Sequence, residues 1–369
     1  MKKLFTIFIA ILAFNTLIAY ENDYSDSNNC CPKPEPCGCD IPGEPTTAAY
    51  NQGANIDVCG SWDFYVTGSF LYWQPREQQL EIAQSTFLGT DTTSTAEIGS
   101  IHKLSFDWEP AFKIGVGYIY GYDNWESYLQ YTRVNSSSSS TANNDNRAGE
   151  VLIDAWLLQP NDPNLSTNSI SITGKWDLNF NILDWEFGRT YYNGKKLTFK
   201  PHFGLKGGWI NQSMRITDVA SSTLTYDGTF KSNSWLIGPR AGIYTNWLFC
   251  DGFRAFGNAA ASIFYQKFHK LQYREPSAVN PSEWYLADNS SFTYINPSLE
   301  FVLGCGWGTY FSNNNWHFDF LVGYEAQVYF SQNLMRSQQQ TVASGAPFAF
   351  NNPGNLTFQG LTATARFDF

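Results

Sequence analysis

Charged residues are scarce in this chain of 369 residues, at 15%, against about 25% in an average soluble protein. Long apolar runs are also missing beyond the N-terminus, and a membrane-spanning helix needs about 20 consecutive apolar residues. These absences argue against an ordinary soluble domain and against a bundle of membrane helices. Lys and Arg number only 23 against 33 Asp and Glu, with no basic cluster, so we expect no nucleic-acid partner.

Aromatic residues are plentiful instead, at 17% of the chain, and they are accompanied by 29 glycines. The mean hydropathy is nevertheless negative, at -0.31. A negative mean hydropathy in a chain with many apolar side chains is typical of a transmembrane β-barrel, because apolar and polar side chains alternate along each of its strands.

The first 19 residues predict a secretory signal peptide. Lys2 and Lys3 precede an apolar stretch over 4–19, and acidic, polar sequence follows from Glu21. Its length would also permit an uncleaved anchor. A lipoprotein signal is not expected, because polar residues 27–29 precede the first cysteine.

Residues 20–60 predict an unstructured, Cys- and Pro-rich tether in the periplasm. Cysteines in an exported chain favour disulfides, and the weaker alternative, a metal site, would need a second ligand pair that the chain lacks. Seven cysteines are an odd number, which leaves at least one for another molecule. The candidate disulfide residues are Cys30, Cys31, Cys37, Cys39, Cys59 and Cys250.

Apolar and polar residues alternate with period 2 in about ten segments that begin at Trp62. Tight turns such as 121–124 join segments in pairs, and longer polar connections, such as 135–172 and 217–230, separate the pairs. We therefore predict an all-β fold, an antiparallel up-and-down transmembrane β-barrel of about ten strands (range roughly 8–16) over 61–369, with short periplasmic turns and long extracellular loops. Soluble sandwiches and lipocalin-like barrels also alternate, but so many aromatic-rich strands would overfill their small cores.

Charged residues on the polar face of these segments are candidates for the lumen wall. In one segment the parity changes between Ile182 and Leu183, which predicts a β-bulge that turns the next two acids inward. The lumen charges could set the ionic preference of a water-filled channel or pair with one another across a narrow interior. The candidates are Asp107, Glu109, Lys113, Asp184, Glu186, Lys200, Lys206, Arg240, Arg254, Glu300, Asp319, Glu325 and Arg366.

Two further segments have specific expectations. The apolar stretch Val151–Leu158 lies within the longest polar connection, and we expect it to fold against the barrel mouth, to enter the lumen or to pack at an interface. The last segment, Leu356–Phe369, must pair with the first to close the barrel. Its end, with Phe369 last, is similar to the signal read by the outer-membrane assembly machinery.

Catalytic and cofactor motifs are missing. The four histidines are scattered and no HExxH, GxSxG, Walker or GxGxxG motif occurs. We therefore predict no enzymatic activity, no cofactor and no catalytic or metal-binding residues.

Four stretches, 183–212, 238–268, 306–333 and the closing QGLTATARFDF, resemble the Legionella-type major outer membrane proteins, a family that includes the MOMP-like proteins of chlamydia-related bacteria. The resemblance implies a pore-forming barrel in the bacterial outer membrane that also serves as a surface antigen or adhesin. The tether resembles the disulfide-linked envelopes of chlamydia-like organisms.

Two functions remain open from the sequence. The first is a porin-like channel for small hydrophilic solutes, and the alternative is a non-conducting structural or adhesin barrel in a disulfide-linked envelope. The expected partners are outer-membrane lipid, the assembly machinery through Phe369, and further copies of the chain or disulfide-linked envelope proteins.

Overall fold

The computed structural model describes residues 53–60, 62–87, 97–121, 124–145, 150–157, 168–221, 224–250, 252–277, 280, 282–335, 337–340, 347–350 and 353–369. The predicted signal peptide, most of the predicted tether, and Cys30, Cys31, Cys37 and Cys39 lie outside these residues. The described part of the chain contains no helix that is long and apolar enough to span a bilayer.

Alternating side chains form β-strands throughout the described part of the chain. The strands are β1 Phe64–Glu77, β2 Glu81–Phe87, β3 Glu97–Lys103, β4 Glu109–Ile119, β5 Trp125–Asn143, β6 Glu150–Asp154, β7 Ser171–Arg189, β8 Tyr191–Tyr192, β9 Leu197–Ser221, β10 Leu224–Leu248, β11 Phe253–Pro276, β12 Trp284–Phe311, β13 Trp316–Asn333, β14 Ser337–Gln340, β15 Pro347–Phe350 and β16 Gly354–Asp368.

Ten of these strands close into an antiparallel barrel. Around the barrel the order is β1, β4, β5, β7, β9, β10, β11, β12, β13 and β16, and β16 pairs with β1. The short strand β8 pairs with β9 as an extra strand. The predicted fold class and strand number are confirmed.

The two ends of the barrel differ in their connections. Short turns join β4 to β5, β10 to β11, and β12 to β13, and the segment with β8 joins β7 to β9. All lie at one end, here called the short-turn end, and the opposite end is called the long-connection end. In bacterial outer-membrane barrels the short turns face the periplasm and the long connections face the outside.

Several strands are longer than the alternation predicted. β9 and β10 each have 25 residues, so the predicted loop 217–230 is mostly strand, and the serine run 136–140 belongs to β5. About 9–11 tilted residues suffice to cross the bilayer. These strands therefore continue beyond the membrane at the long-connection end.

The predicted β-bulge between Ile182 and Leu183 is wrong. β7 keeps an unbroken register with both neighbours, and Trp176, Phe180 and Ile182 are buried inside the barrel together with Asp184. The alternation of apolar and polar residues in β7 inverts at this point because the surroundings of the strand change along its length. At membrane depth lipid favours apolar outward side chains, whereas beyond the membrane water favours polar outward ones and the interior becomes the apolar core.

The last strand pairs with the first and closes the barrel, as predicted. In β16 Leu361 is exposed on the outer face, whereas Thr362 is buried inside, where its hydroxyl donates to Glu325 Oε2 at 2.9 Å. The indole N–H of Trp73 in β1 donates to the same hydroxyl at 3.1 Å. These side chains join the first and last barrel strands in addition to their backbone ladder.

Cys305 and Cys250 lie in different surroundings. Cys305 is exposed on the outer face of β12 between Leu303 and Trp307, which are also exposed, whereas Cys250 is half-buried in the turn between β10 and β11. We expect a membrane-impermeant maleimide to label Cys250 after reduction but not Cys305 in lipid, because thiol reactivity requires a solvated thiolate. Equal labelling of both residues in intact membranes would contradict the lipid-facing position of Cys305.

The last residues of the predicted tether are ordered. The backbone N–H of Ala54 donates to Thr190 O at 3.1 Å, and that of Cys59 donates to Asn314 O at 2.9 Å. Thr190 follows β7 and Asn314 lies between β12 and β13. Residues 53–60 are therefore attached to two different turn regions of the short-turn end, contrary to the unstructured tether predicted for them.

The long connections fold over the opposite mouth. β2, β3 and β6 form a small antiparallel sheet. Trp156 packs edge-on against Phe230 of β10, with ring centroids 4.8 Å apart, and Leu157 is fully buried against Gly228. This confirms that the apolar stretch around Val151 packs at the barrel mouth. Leu158 lies outside the described residues.

Asp154 is a buried carboxyl group in this docked segment. Its Oδ1 accepts the backbone N–H groups of Trp156 and Leu157, both at 2.6 Å. Burial, followed by the nearby carboxylate of Asp218 and then by Glu275, raises the pKa of Asp154 to about 8 despite those N–H groups. The docked state therefore holds a proton that an undocked, solvated carboxyl loses at a lower pH.

We expect the docked segment to lose stability as the pH rises towards 8, because stability falls with pH wherever the native state binds more protons. Limited proteolysis of 150–157 in the folded protein should accelerate several-fold between pH 5 and pH 8. Asp154→Asn keeps an acceptor for the two N–H groups and should flatten the profile. An unchanged profile in that variant would show that another group controls the segment.

Candidate functional site in the barrel lumen

The lumen at membrane depth is lined by charged side chains. Lys206 points inward between Leu205 and Gly207, and Glu300 points inward between Leu299 and Phe301, while Leu205, Leu299 and Phe301 are exposed on the outer face. The same alternation that makes the outer surface apolar therefore places the charges inside. With only ten strands these side chains can reach one another across the interior.

Four buried charged residues and the half-buried Glu186 form one cluster, here called the ion-pair cluster. Lys206 Nζ lies 3.3 Å from Asp184 Oδ1 and also contacts Glu300. The guanidinium of Arg240 contacts Glu186 and lies 2.9 Å from Glu300 Oε2. Glu300 thus connects the two cations, and because its strand β12 does not pair with β7 or β9, its contact with Lys206 is made across the lumen.

Other cations of the lumen also lie beside acids. Lys113 Nζ lies 2.6 Å from Glu325 and 4.8 Å above the ring of Trp73. Lys200 Nζ lies 2.6 Å from Glu126. The remaining two pairs, closer to the short-turn end, are Arg254 with Asp319 and Arg366 with Asp368.

The structure brings together eleven of the thirteen predicted lumen residues in these pairs, and the other two lie elsewhere. Glu109 begins β4, where it is half-buried opposite Trp73. Asp107 precedes β4 and is exposed, so its predicted place on the lumen wall is wrong. β4 begins at Glu109, five residues after the start of the alternating segment that the sequence predicts from Leu104, and Phe106 turns inward to contact Trp176.

Four lumen residues were missed by the sequence reasoning. Glu126 pairs with Lys200, and Asp368 lies 2.9 Å from His317 Nδ1. His202 is buried with its Nδ1 3.6 Å from Glu186. The period-2 alternation, applied to every strand residue, would have predicted an inward Glu126 between Trp125 and Ser127. It would also have predicted an inward Asp368, two positions after the inward Arg366.

An aromatic layer packs inside the barrel beyond the ion-pair cluster. Phe180 and Phe358 pack at 4.6 Å between ring centroids, and Tyr329 packs against Phe264 at 6.1 Å. Lys206 Nζ lies 5.5 Å from the ring centre of Tyr329, so the two layers are in contact. Each of these aromatic side chains is at most 1% exposed.

A cavity of 780 Å³ opens beside the long-connection end of β1. Its lining includes Arg76, Glu77, Lys103 and Phe106. None of its lining residues belongs to the ion-pair cluster or to the aromatic layer, so this cavity is separate from the lumen site.

The histidines are placed apart from one another. His102 Nε2 lies 3.0 Å from Ser85 Oγ and 3.1 Å from Ser100 Oγ in the sheet of β2 and β3. No group of three or more His, Cys, Asp or Glu residues that could hold a metal ion occurs among the described residues.

Comparison with solved structures finds outer-membrane proteins to which this chain is similar. They include the outer membrane protease OmpT from Escherichia coli (9% identity, 84% of this chain, 97% of that chain, TM-score 0.40). They also include a FadL homologue from Pseudomonas aeruginosa (8%, 83%, 89%, TM-score 0.28) and the toluene transporter TodX from Pseudomonas putida (8%, 83%, 90%, TM-score 0.21). No curated protein matches the chain.

One family profile, described as the Legionella pneumophila major outer membrane protein precursor, matches residues 58–369. That range contains the whole barrel, from β1 to β16. It also contains all the lumen charges described above. This chain is therefore an outer-membrane protein and belongs to the Legionella major outer membrane protein family.

Proposed function

We propose that this protein is a porin-like channel for small hydrophilic solutes, whose lumen is closed in the described conformation by buried ion pairs. The observation that carries the proposal is the ion-pair cluster at membrane depth. Arg240, Lys206 and Glu300 are each at most 6% exposed, and charged residues that face the interior of a membrane protein commonly mark pathways for ions or solutes.

A barrel that only had to be stable would not need these charges. Buried ion pairs pay a large desolvation penalty, and well-packed apolar residues of similar volume often replace them without loss of stability. The charges become useful if the lumen can fill with water, since separated Lys, Arg, Asp and Glu side chains then form a polar wall that selects ions. We therefore interpret the cluster as a closed gate.

Opening of the lumen requires the charged side chains to leave their ion-pair partners and to contact water instead. Lys206 and Arg240 lie on neighbouring strands β9 and β10, while Glu300 lies on β12. A rotation of the Glu300 side chain away from the two cations would separate the two sides of the lumen without breaking a backbone hydrogen bond. Such side-chain gating is compatible with a rigid barrel wall.

The second candidate is a non-conducting structural or adhesin barrel that presents its long connections at the surface. The aromatic layer favours this alternative, because Trp73, Trp176, Phe180 and Phe358 are buried in the interior and cannot line a water-filled path without moving. We also propose that the protein forms homo-oligomers and disulfide links to envelope proteins through the cysteines at the short-turn end. Both proposals are compatible with either function.

Single-channel recording in planar bilayers separates the two functions. We expect the folded protein, identified by its heat-modifiable band, to show brief openings of low conductance, because the gate is closed most of the time. Deletion of 148–160, which removes the docked Trp156, should lengthen the openings. A folded protein that stays silent with and without this segment would refute the channel and support the structural barrel.

A further inference from the structure

The outer surface of the barrel carries a one-sided group of cations above its apolar belt, here called the basic flank. These residues point outward from β5, β7, β9, β10 and β11, and all but the half-buried Lys231 are exposed. The members of the basic flank are Arg133, Lys175, Arg215, Lys231, Lys267 and Arg274.

The lower edge of the basic flank lies at the membrane boundary. One row of paired residues crosses five strands, from Arg133 through Asn181, Trp209 and Trp235 to Lys267. Directly below this row the outward side chains become apolar and exposed, as at Leu183, Leu205, Ile237 and Ile263. Trp residues concentrate where the bilayer meets water. Arg133 and Lys267 therefore flank two interfacial Trp side chains, about 19 Å apart at about 4.8 Å per strand.

A second row of cations lies farther from the membrane. Lys175 is the direct cross-strand partner of Arg215, and Arg215 is opposite Thr229, which is opposite Arg274. Like charges directly opposite each other on one face destabilise a sheet. The row lies six residues above the first along β7, about 20 Å at about 3.3 Å per residue.

Acidic residues neutralise only part of this surface. Above the belt on these strands, the outward acids in the described part of the chain are Asp177 and Asp227. Asp177 lies 3.8 Å from Lys175, and Asp227 accepts a hydrogen bond from Thr217 at 2.6 Å. The whole chain carries a formal charge of -10, whereas this flank carries six cations and two acids. The basic flank therefore has a net positive charge on a protein that is negative as a whole.

Asparagines fill the space between the two rows. Asn135, Asn179, Asn211 and Asn233 are successive cross-strand partners. Asn179 Nδ2 donates to Asn135 Oδ1 at 2.9 Å, and each amide presents both donors and acceptors. Such a row suits a ligand rich in hydroxyl groups.

We propose that the basic flank binds the phosphorylated glycolipid of the outer leaflet. Acyl chains pack on the apolar belt and on Trp209 and Trp235, phosphates contact the cations of the two rows, and sugar hydroxyls contact the asparagines between them. Continuity with the lipid-facing belt selects a lipid over a protein partner. On the opposite side of the barrel, the outward residues at similar heights include Val328, Phe330 and Gln359. Arg76 is the one outward cation in the described residues of β13, β16 and β1, so the lipid binds on the side of the basic flank.

The test titrates the detergent-folded full chain with a glycolipid that carries phosphates both on its acylated disaccharide and on its inner-core sugars, and with the same glycolipid after dephosphorylation. Native mass spectrometry measures the bound lipid. Two double variants remove one row each, Arg133→Gln with Lys267→Gln and Lys175→Gln with Arg215→Gln. The control, Lys195→Gln with Lys196→Gln, removes the same charge from an exposed turn at the short-turn end. All six side chains are exposed, so the heat-modifiable band should be retained.

We expect the phosphorylated lipid to bind the wild type much more tightly than the dephosphorylated one. Each basic-flank variant should weaken that binding by about 25-fold, or about fivefold per cation near a charged membrane surface, and the control should leave it unchanged. Equal binding of the two lipids, or equal losses in the flank variants and the control, would overturn the proposal. Binding that inorganic phosphate at the lipid's concentration abolishes would also overturn it, because the site would then recognise a free anion.

Discussion

Replacing the three acids of the ion-pair cluster by their amides (Asp184→Asn, Glu186→Gln, Glu300→Gln) is expected to give an open, anion-selective pore. The change leaves Lys206 and Arg240 buried without counter-charges. Removing the partner of a buried charge costs about 3–5 kcal/mol, so the closed state should lose at least about tenfold in population relative to a hydrated, open lumen. Planar-bilayer recording under a salt gradient measures the open probability and the sign of the reversal potential.

The opposite substitution provides an internal comparison. Lys206→Gln with Arg240→Gln leaves the three acids facing one another, and their repulsion should also open the lumen but reverse its selectivity to cations. A matched control, Asp107→Asn with Asp177→Asn and Asp227→Asn, removes three acids outside the lumen and should behave as the wild type. Folded variants that all remain silent would refute gating by the cluster, and unchanged ion preference would show that ions pass elsewhere.

The second large effect is expected at the C-terminal residue. Phe369 packs beside Trp316, with ring centroids 6.3 Å apart, and its backbone N–H donates to Phe64 O at 3.1 Å. It thus directly follows β16, the strand that closes the barrel. An open edge there would leave backbone groups without partners in hydrocarbon. Phe369→Asp should reduce the folded protein in the outer membrane several-fold, because it places a charge at the closing edge and changes the residue that we propose the assembly machinery reads.

Thr362→Ser is the control for this loss. It lies in the same strand and keeps the hydroxyl that donates to Glu325 and accepts from Trp73. Its heat-modifiable band should match that of the wild type. Equal yields of the two variants would contradict both the role of Phe369 in closure and its role in assembly.

Most of the barrel could be predicted from the sequence because its signals are local. Period-2 alternation and tight turns were enough for the ten strands, and parity alone placed Lys113, Lys206, Arg240 and Glu300 inside. The pairing of β1 with β16 followed from the rule that a membrane sheet cannot leave an edge open. Glu126 and Asp368 were within reach of the same parity argument.

The tertiary structure decided where the polarity of the strands inverts and which charges meet. Trp176 and Phe180 face inward, although apolar residues at alternate positions nearer the membrane centre face outward. Alternation defines the two faces of a strand, and only the surroundings decide which face lies in lipid, in water or in the core. The contact of Glu300 with Lys206 joins residues 94 positions apart, so no local pattern contains it. The sequence by itself therefore determined the strands and their two faces, and only the folding of ten strands around a narrow lumen decided that its charges neutralise one another.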